Sequence, residues 1–206
     1  DTADLMRSVR AMLTATGYAP EIVVQLADSA LEREKSLDMF KEFFLEQIAE
    51  MEKTLQEETG DPGARIPTEK EGAEILYVAL SGAHTIAPAA RVLHEAQANW
   101  TLSLFEAADY GVFLNDAVRA KAIAKRVVDE ALRLKVKEVV IAECGHAFAT
   151  FRWSVPDWFG PLPFRVRSIL EVVTEYLKEG KLKVNPAANA TPITYHDSCN
   201  LARNGG

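Results

Sequence analysis

The sequence contains only two cysteines among its 206 residues, too few for the disulfide framework of a small secreted protein. It also lacks an excess of positive charge, since 30 acidic residues outnumber 23 basic residues and the formal net charge is −7. Proteins that bind nucleic acid gain much of their affinity from lysines and arginines that neutralise phosphates. We therefore expect a protein of a reducing compartment that does not bind nucleic acid.

Long hydrophobic runs are absent as well. The longest nearly apolar run covers residues 75–80, whereas a helix that spans a bilayer needs about 20 apolar residues. No basic segment followed by an apolar segment opens the chain, so no signal peptide is predicted. Together with the low cysteine content, this predicts a cytoplasmic protein.

The first 58 residues carry helical signals throughout. Apolar residues spaced by three or four positions form one helical stripe, which consists of Leu37, Phe40, Phe44, Ile48, Met51 and Leu55. Between residues 28 and 58, ten acidic residues accompany four basic ones. A solvated helix face and an acidic docking surface for a basic partner both fit this charge. Glycines and prolines at 60–67 predict a boundary between a helical segment at 1–63 and a second domain at 72–206.

From residue 72 onward, short apolar runs alternate with helical patterns. The pattern predicts strands at 74–80, 100–104, 138–142 and 192–196, and helices at 86–98, 115–135 and 163–179. Repeated strand–helix–strand units favour a mostly parallel sheet. The predicted fold class is thus α/β, with an N-terminal helical segment followed by a mostly parallel-sheet β-α-β domain. Because parallel strands end at one edge of the sheet, the turns at 81–84, 143–147 and 196–199 are the candidate site.

Cys144 lies in the turn after the strand predicted at 138–142, two residues before His146. At the start of a helix the backbone N–H groups favour the thiolate form, which suits a nucleophile or a metal ligand. A small buried residue at a tight turn has the same sequence signature. In hydrolases, base and nucleophile usually come from distant segments rather than from positions two residues apart. The residues alone leave these alternatives open.

A similar arrangement follows the last predicted strand, where His196 and Cys199 are separated by two residues. Their spacing is compatible with a metal site, but two ligands do not complete a four-coordinate site. Asp197 and Ser198, between them, are equally suited to cap a following helix. The glycine-containing turns match neither a phosphate-binding P-loop nor the dinucleotide-binding fingerprint.

These two segments resemble parts of a known family. Residues 193–203 (ITYHDSCNLAR) resemble the opening of a cysteine-rich CCG domain, and residues 139–147 (VVIAECGHA) resemble the close of the preceding CCG repeat. Such domains occur in the D-type polypeptide of heterodisulfide reductase, in the DsrK-type electron-transfer subunit associated with sulfite reductase, and in iron–sulfur subunits related to glycolate oxidase. The resemblance covers residues 74–206.

In that family, each CCG repeat carries a lone cysteine, then a Cys-Cys pair and then a Cys-x-x-Cys, whose thiolates hold an iron–sulfur cluster of [4Fe-4S] type. The first repeat departs from this pattern here. Ser81-Gly82 stands at the lone cysteine, residues 107–111 replace the Cys-Cys-Gly, and Ala147 replaces the second thiol of Cys-x-x-Cys. Since a cluster needs several thiolate ligands, we expect no complete cluster in the first repeat.

The resemblance implies a fragment of an iron–sulfur electron-transfer oxidoreductase subunit that acts on a disulfide-type substrate. Cys199 and Cys144 are then metal ligands in the full-length protein, His196 lies near the cluster, and Cys144 is the candidate catalytic thiol. The start at Asp1 and the end soon after the last predicted strand favour a truncated chain, which we expect to be inactive and free of a cluster on its own.

The implied partners are other subunits of a redox complex, among them a membrane-bound quinone- or haem-linked subunit that would hold the protein at the membrane periphery. Two other functions fit the sequence. A repeat without its ligands could serve as a non-catalytic scaffold or interaction module, with its acidic helices against partner subunits. A thiol-dependent enzyme could use Cys144 with His146 or with a distant histidine.

Overall fold

The computed structural model describes residues 2–35, 37–80, 83–142, 144–189, 191–194 and 196. Three helices come first, namely α1 (Thr2–Ala15), α2 (Glu21–Lys35) and α3 (Leu37–Thr59). The predicted N-terminal helical segment is therefore confirmed. No helix within the described residues is both long enough and apolar enough to cross a membrane.

The remaining described chain alternates strands and helices. In chain order these elements are β1 (Ile75–Val78), α4 (Ala83–Glu95), β2 (Trp100–Leu102), α5 (Tyr110–Leu114), α6 (Ala117–Leu134), β3 (Glu138–Ile141), α7 (Gly145–Ala149), a π-helix (Thr150–Ser154), α8 (Val155–Phe159), β4 (Arg165–Ser168) and α9 (Ile169–Lys178). The strands form one parallel sheet in the order β2-β1-β3-β4. The predicted α/β class is confirmed.

Both faces of the sheet are covered, which explains why β1 and β3 are apolar along nearly their whole length. On one face, Tyr77 and Val140 belong to a core formed with α3, α4 and α9. On the other face, Leu76 and Val139 pack with α6, α7 and the π-helix. The segment at 60–67, which looks like a linker in the sequence, contributes the buried Ile66 to the first of these cores.

The helix predicted at 163–179 begins later than expected, because residues 165–168 form β4. The hydroxyl of Ser168 accepts a hydrogen bond from the Glu171 N–H at 3.2 Å, and the Glu171 carboxylate accepts one from the Ser168 N–H at 2.8 Å. This reciprocal capping box satisfies backbone donors at the first turn and starts α9 at Ile169.

The strand predicted at 192–196 is wrong for its described residues, 192–194 and 196, which are exposed and belong to no strand. A strand there would need a free sheet edge with available backbone groups. On the outer side of β4, however, the Val166 carbonyl accepts a hydrogen bond from Arg152 at 3.2 Å, and the Ser168 N–H is held by Glu171. These side chains occupy two of the bonds that a further strand would make.

Candidate functional site

The carboxyl edge of the sheet joins the loops that follow β1 and β2. The Ala107 N–H donates to the Ala79 carbonyl at 2.8 Å, which ties the loop after β2 to the end of β1. Next to this loop the carboxylate of Glu130, from α6, accepts hydrogen bonds from the Ser103 hydroxyl and from the Leu104 N–H. Burial raises the pKa of Glu130, while these two donors lower it. Glu130 therefore holds the loop in place through a satisfied, buried carboxyl group.

Cys144 follows β3 at the same edge and occupies the cap position of α7. Its Sγ accepts a hydrogen bond from the Ala147 N–H at 3.4 Å, and the side chain is half-buried. The predicted turn and helix start after β3 thus correspond to a real cap. Cys144 forms no disulfide, and its partly buried side chain packs against the core on the α6 side of the sheet.

His146, in the first turn of α7, is oriented by two contacts. Its Nε2 lies 3.3 Å from the backbone carbonyl of Asp109, and its ring stacks on Phe113 with centroids 4.1 Å apart and planes 1° from parallel. Burial lowers the pKa of His146, the Asp109 carbonyl raises it, and the charge of Arg10 on α1 lowers it again. The neutral imidazole is favoured, with Nε2–H as the donor to Asp109.

Asp109 is a functional candidate that the sequence reasoning missed. The residue is 1% exposed, and Oδ1 accepts a hydrogen bond from the Val112 N–H at 3.2 Å, which caps α5. The second oxygen, Oδ2, is buried and has no hydrogen-bond partner within the described part of the chain. Burial raises the pKa of Asp109 to about 7, although the Val112 and Gly111 N–H groups and the charge of Arg126 oppose this change.

The N-terminal helices lie against this site. The Thr14 hydroxyl of α1 donates to the Leu114 carbonyl at 2.9 Å. From α6, the buried Arg126 donates to the Ala30 carbonyl of α2 at 2.6 Å, and Arg119 binds the Asp28 carboxylate at 2.7 Å. These bonds attach α1 and α2 to α5 and α6, and they help to exclude water from Asp109.

A glycine lets α5 and α6 approach closely enough to bury Asp109. A Cβ atom built on Gly111 would lie only 2.3 Å from the backbone nitrogen of Ala120. No side chain fits at that distance, so the position requires glycine. Because Gly111 follows Asp109 by two residues, this contact contributes directly to the burial of the carboxyl group.

The other predicted site residues are not brought to this edge by the described structure. His196 is exposed in a segment without regular structure. Cys199, Asp197 and Ser198 lie outside the described residues, as does Ser81-Gly82, so their expected roles stay predictions. Among the described contacts no hydrogen bond joins Cys144 to His146, whose Nε2 faces Asp109 instead.

The described residues do not fit an iron–sulfur cluster. A cluster needs several thiolates, and Cys144 is the one cysteine that this part of the chain contains. Nor does any group of three or more His, Cys, Asp or Glu side chains among the described residues have a geometry that could hold a metal ion. Any cluster ligands beyond Cys144 must come from outside the described residues.

Comparisons with curated proteins point to heterodisulfide reductases. The chain is 35% identical over 96 residues to the D-type polypeptide of the dihydromethanophenazine:CoB--CoM heterodisulfide reductase of Methanosarcina acetivorans, a match that covers 46% of this chain and 22% of that protein. The protein of the same name from Methanosarcina mazei is 35% identical over 78 residues, or 37% of this chain and 19% of that protein.

A further match runs along the whole chain. The Hdr-like menaquinol oxidoreductase iron-sulfur subunit of Archaeoglobus profundus is 23% identical over 254 aligned positions, which include 100% of this chain and 45% of that protein. The chain thus spans less than half the length of each of these relatives. No protein-family model matches it, and neither does any solved structure. The similarities support the resemblance to heterodisulfide reductase-type iron–sulfur proteins.

Proposed function

We propose that this chain is part of an iron–sulfur electron-transfer subunit of heterodisulfide reductase type. The observation that carries the proposal is the similarity of the whole chain to an Hdr-like iron–sulfur subunit, together with the higher identity of nearly half of it to the D-type polypeptide of a heterodisulfide reductase. The parallel sheet, with Cys144 at its carboxyl edge, supports the proposal because ligand sites of such sheets lie at this edge.

The proposed substrate is a disulfide-type molecule, and the proposed cofactor of the full-length protein is a [4Fe-4S] cluster in a CCG domain. Cys199 and Cys144 are the proposed ligands from this chain, with His196 beside the cluster. The proposed domain division is a helical segment at 1–63 and an α/β domain at 72–206. The proposed partners are other subunits of a redox complex, and the proposed location is the cytoplasm, at the membrane periphery if one of those subunits is embedded in the bilayer.

The test is the iron content of the longest natural form of the protein, purified without oxygen. We expect several iron and acid-labile sulfide atoms per chain, and a clear loss of iron in Cys199→Ser. Cys144→Ser tests the second proposed ligand. The control is His94→Gln, because His94 is a half-buried histidine on α4 that is not a proposed ligand, and this variant should keep its iron. An iron-free natural protein, or iron content that neither cysteine substitution changes, would contradict the proposal.

A second candidate function is that of a non-catalytic interaction module. Two observations favour it. At the carboxyl edge of the sheet, His146 contacts the Asp109 carbonyl and stacks on Phe113, so these residues pack against one another. Cys144 is the one thiol of the described residues. On this interpretation, Cys144→Ala leaves both the iron content and the disulfide reduction of the intact complex unchanged. If that substitution lowers either quantity, the scaffold interpretation fails.

A thiol-dependent enzyme has less support. A general base must reach the thiol, and His146 directs Nε2 to the Asp109 carbonyl while its ring is stacked on Phe113. Alkylation of Cys144 by iodoacetamide at pH 7 is the direct measurement. A rate close to that of a small free thiol is expected, and a rate enhanced tenfold or more would revive this candidate.

A further inference from the structure

A groove of about 440 Å³ lies beside β4, and neither Cys144 nor His146 is among the residues that line it. Its apolar wall includes Leu162, from the segment that precedes β4, and the edges of Phe151 and Phe164, which are otherwise buried at 2% and 7% exposed. The volume falls in the range of sites that bind small organic molecules.

The outer edge of β4 faces this groove. The Arg165 N–H donates to the Lys137 carbonyl at 2.9 Å, so the backbone of Arg165 bonds to β3. In a parallel ladder, successive residues of an edge strand direct their backbone groups alternately towards and away from the neighbouring strand. Val166 and Ser168 therefore direct theirs away from β3, towards the outer side of the sheet.

One of these outward groups has no partner in the part of the chain that the structure describes. The Ser168 N–H donates to Glu171 at 2.8 Å, and the Val166 carbonyl accepts from Arg152 at 3.2 Å. The Val166 N–H has no acceptor among the described residues, although Val166 lines the groove. A strand-edge N–H next to a guanidinium is a suitable pair of donors for one carboxylate group.

Of the three arginines at the groove, one has no carboxylate partner within the described residues. Arg165 contacts the Glu138 carboxylate, and Arg167 lies 2.6 Å from a carboxylate oxygen of Glu175. Arg152 has no acidic partner among the described residues. Besides its bond to Val166, it lies over the Phe148 ring at 5.8 Å, so most of its five N–H donors remain unassigned.

Arginines are concentrated at the groove in a chain that is otherwise acidic. Its lining includes the three arginines and one acidic residue, Glu171, whereas the whole chain has a net charge of −7. The π-helix at Thr150–Ser154 carries Arg152 to this position. Such wide turns are rare and occur frequently at functional sites.

We propose that this groove binds a small organic acid. The carboxylate of the ligand accepts hydrogen bonds from the Arg152 guanidinium and the Val166 N–H, and its apolar body lies against Leu162 and the accessible edges of Phe151 and Phe164. The recognition is non-covalent and uses no metal. It is independent of the proposed electron-transfer function, because iron-free protein has the complete groove.

The probe is 3-phenylpropionate, added to the 206-residue chain while amide and arginine side-chain signals are followed by NMR. Saturable shifts of the Val166 amide and the Arg152 Nε–H are expected. The neutral analogue 3-phenylpropanol lacks the carboxylate, and acetate lacks the apolar body, so each should bind at least tenfold more weakly. Equal binding of 3-phenylpropanol or of inorganic phosphate, or no shift at Val166, would overturn the proposal.

Variants assign the binding to Arg152. Arg152→Gln removes the positive charge but keeps a donor for the Val166 carbonyl, and it should weaken binding of 3-phenylpropionate at least tenfold. Arg165→Gln is the matched control, because Arg165 lines the same groove but is 74% exposed and already pairs with Glu138. Less than a threefold change is expected there.

If Arg152→Gln fails to fold, two other variants replace it. Arg152→Lys keeps the positive charge but loses the planar guanidinium. Leu162→Ala shortens the apolar wall of the groove. Each should weaken binding by at least threefold with the remaining spectrum unchanged. Wild-type affinity in Arg152→Gln, or in both replacement variants, would refute the site.

Discussion

The backbone carbonyl of Asp109 lies 3.3 Å from Nε2 of His146, and this contact joins the loop after β2 to the turn after β3. Burial acts on the two side chains in opposite directions. It raises the pKa of the Asp109 carboxyl to about 7 and lowers the pKa of the His146 imidazole, because a low-dielectric environment disfavours the charged form of each. In a chain of net charge −7, this part of the sheet edge therefore tends towards neutrality near pH 7.

Asp109→Asn should change how the stability depends on pH. The pKa of Asp109 is raised to about 7 in the folded protein from an ordinary 3.8, so between these values the folded state binds a proton that the unfolded state has lost. Stability contributed by this group falls as the pH rises through that window, by on the order of 4 kcal/mol at most. Asparagine still caps α5 but has no charge to bury. The free energy of unfolding of Asp109→Asn should therefore not show this decline between pH 3.8 and about 7, and it should exceed that of the wild type above pH 7.

The measurement is the free energy of unfolding in urea at pH 5, 7 and 8.5. Asp129→Asn is the control, since Asp129 is exposed and pairs with Lys125 on the surface of α6. An Asp109→Asn protein whose stability has the same slope with pH as the wild type would show that the carboxyl group is not buried as described.

His146→Gln should change the pH dependence of stability on the acid side. Because the pKa of His146 is lowered in the folded protein, the unfolded state binds the extra proton first, and stability is lost as the pH falls through the ordinary histidine range near 6.5. Glutamine does not titrate, so the variant should lose part of this acid sensitivity between about pH 7 and pH 5. Urea unfolding at these two pH values measures the change, and an unaltered acid sensitivity would contradict the burial of the imidazole.

Phe113→Ala provides the companion measurement for His146. Removal of the stacked ring exposes the imidazole, so the pKa of His146, followed by the NMR shift of its ring protons, should rise towards the ordinary value. If the ring protons titrate identically with and without Phe113, the 4.1 Å stack is not what buries the histidine.

Gly111→Ala should destabilise the protein through a steric clash. The new Cβ would meet the Ala120 backbone nitrogen at 2.3 Å and its Cα at 2.7 Å, so α5 must move away from α6. Overpacking of this kind costs about 1–3 kcal/mol, and the Asp109 carboxyl would become more accessible to water. Thermal unfolding and an NMR titration of Asp109 measure the two effects.

Gly72→Ala is the control that separates the steric clash expected in Gly111→Ala from the cost of backbone strain alone. Gly72 has a φ of +75° but open space around its Cα, so alanine there meets only the conformational penalty of about 1 kcal/mol. A loss in Gly111→Ala no greater than that in Gly72→Ala would mean that α5 and α6 are not in such close contact.

Ser168→Ala should fray the start of α9. The substitution removes the hydroxyl that accepts the Glu171 N–H at 3.2 Å, and loss of a helix cap costs about 1 kcal/mol. Hydrogen exchange of the Glu171 amide should accelerate about fivefold, whereas Ser168→Thr, which keeps an acceptor, should stay near the wild-type rate. Unchanged exchange in Ser168→Ala would indicate that the capping box does not hold the end of β4.

Three of the four strands that the described residues form could be predicted, because their signal is local in the chain. The regions of β1, β2 and β3 contain β-branched and aromatic runs, and helical spacing separates them. β4 was not predicted, since its sequence, Arg-Val-Arg-Ser, is short and merges with the helical periodicity of α9. The predicted strand at 192–196 has the right residue types, but a strand also needs a partner edge, and the side chains of Arg152 from the π-helix and Glu171 from α9 occupy part of the outer edge of β4.

At the candidate site, periodicity and turn residues were enough to locate Cys144 and His146 at the end of a buried strand. They did not identify Asp109, because an acidic residue before a helix is normally a solvated cap. What buries Asp109 is the close approach of α6 at Gly111 and the attachment of α1 and α2 through Thr14, Arg119 and Arg126. Secondary structure follows from neighbours in the chain, whereas burial of one carboxyl group depends on contacts between elements up to a hundred residues apart, and those contacts form only when the chain folds.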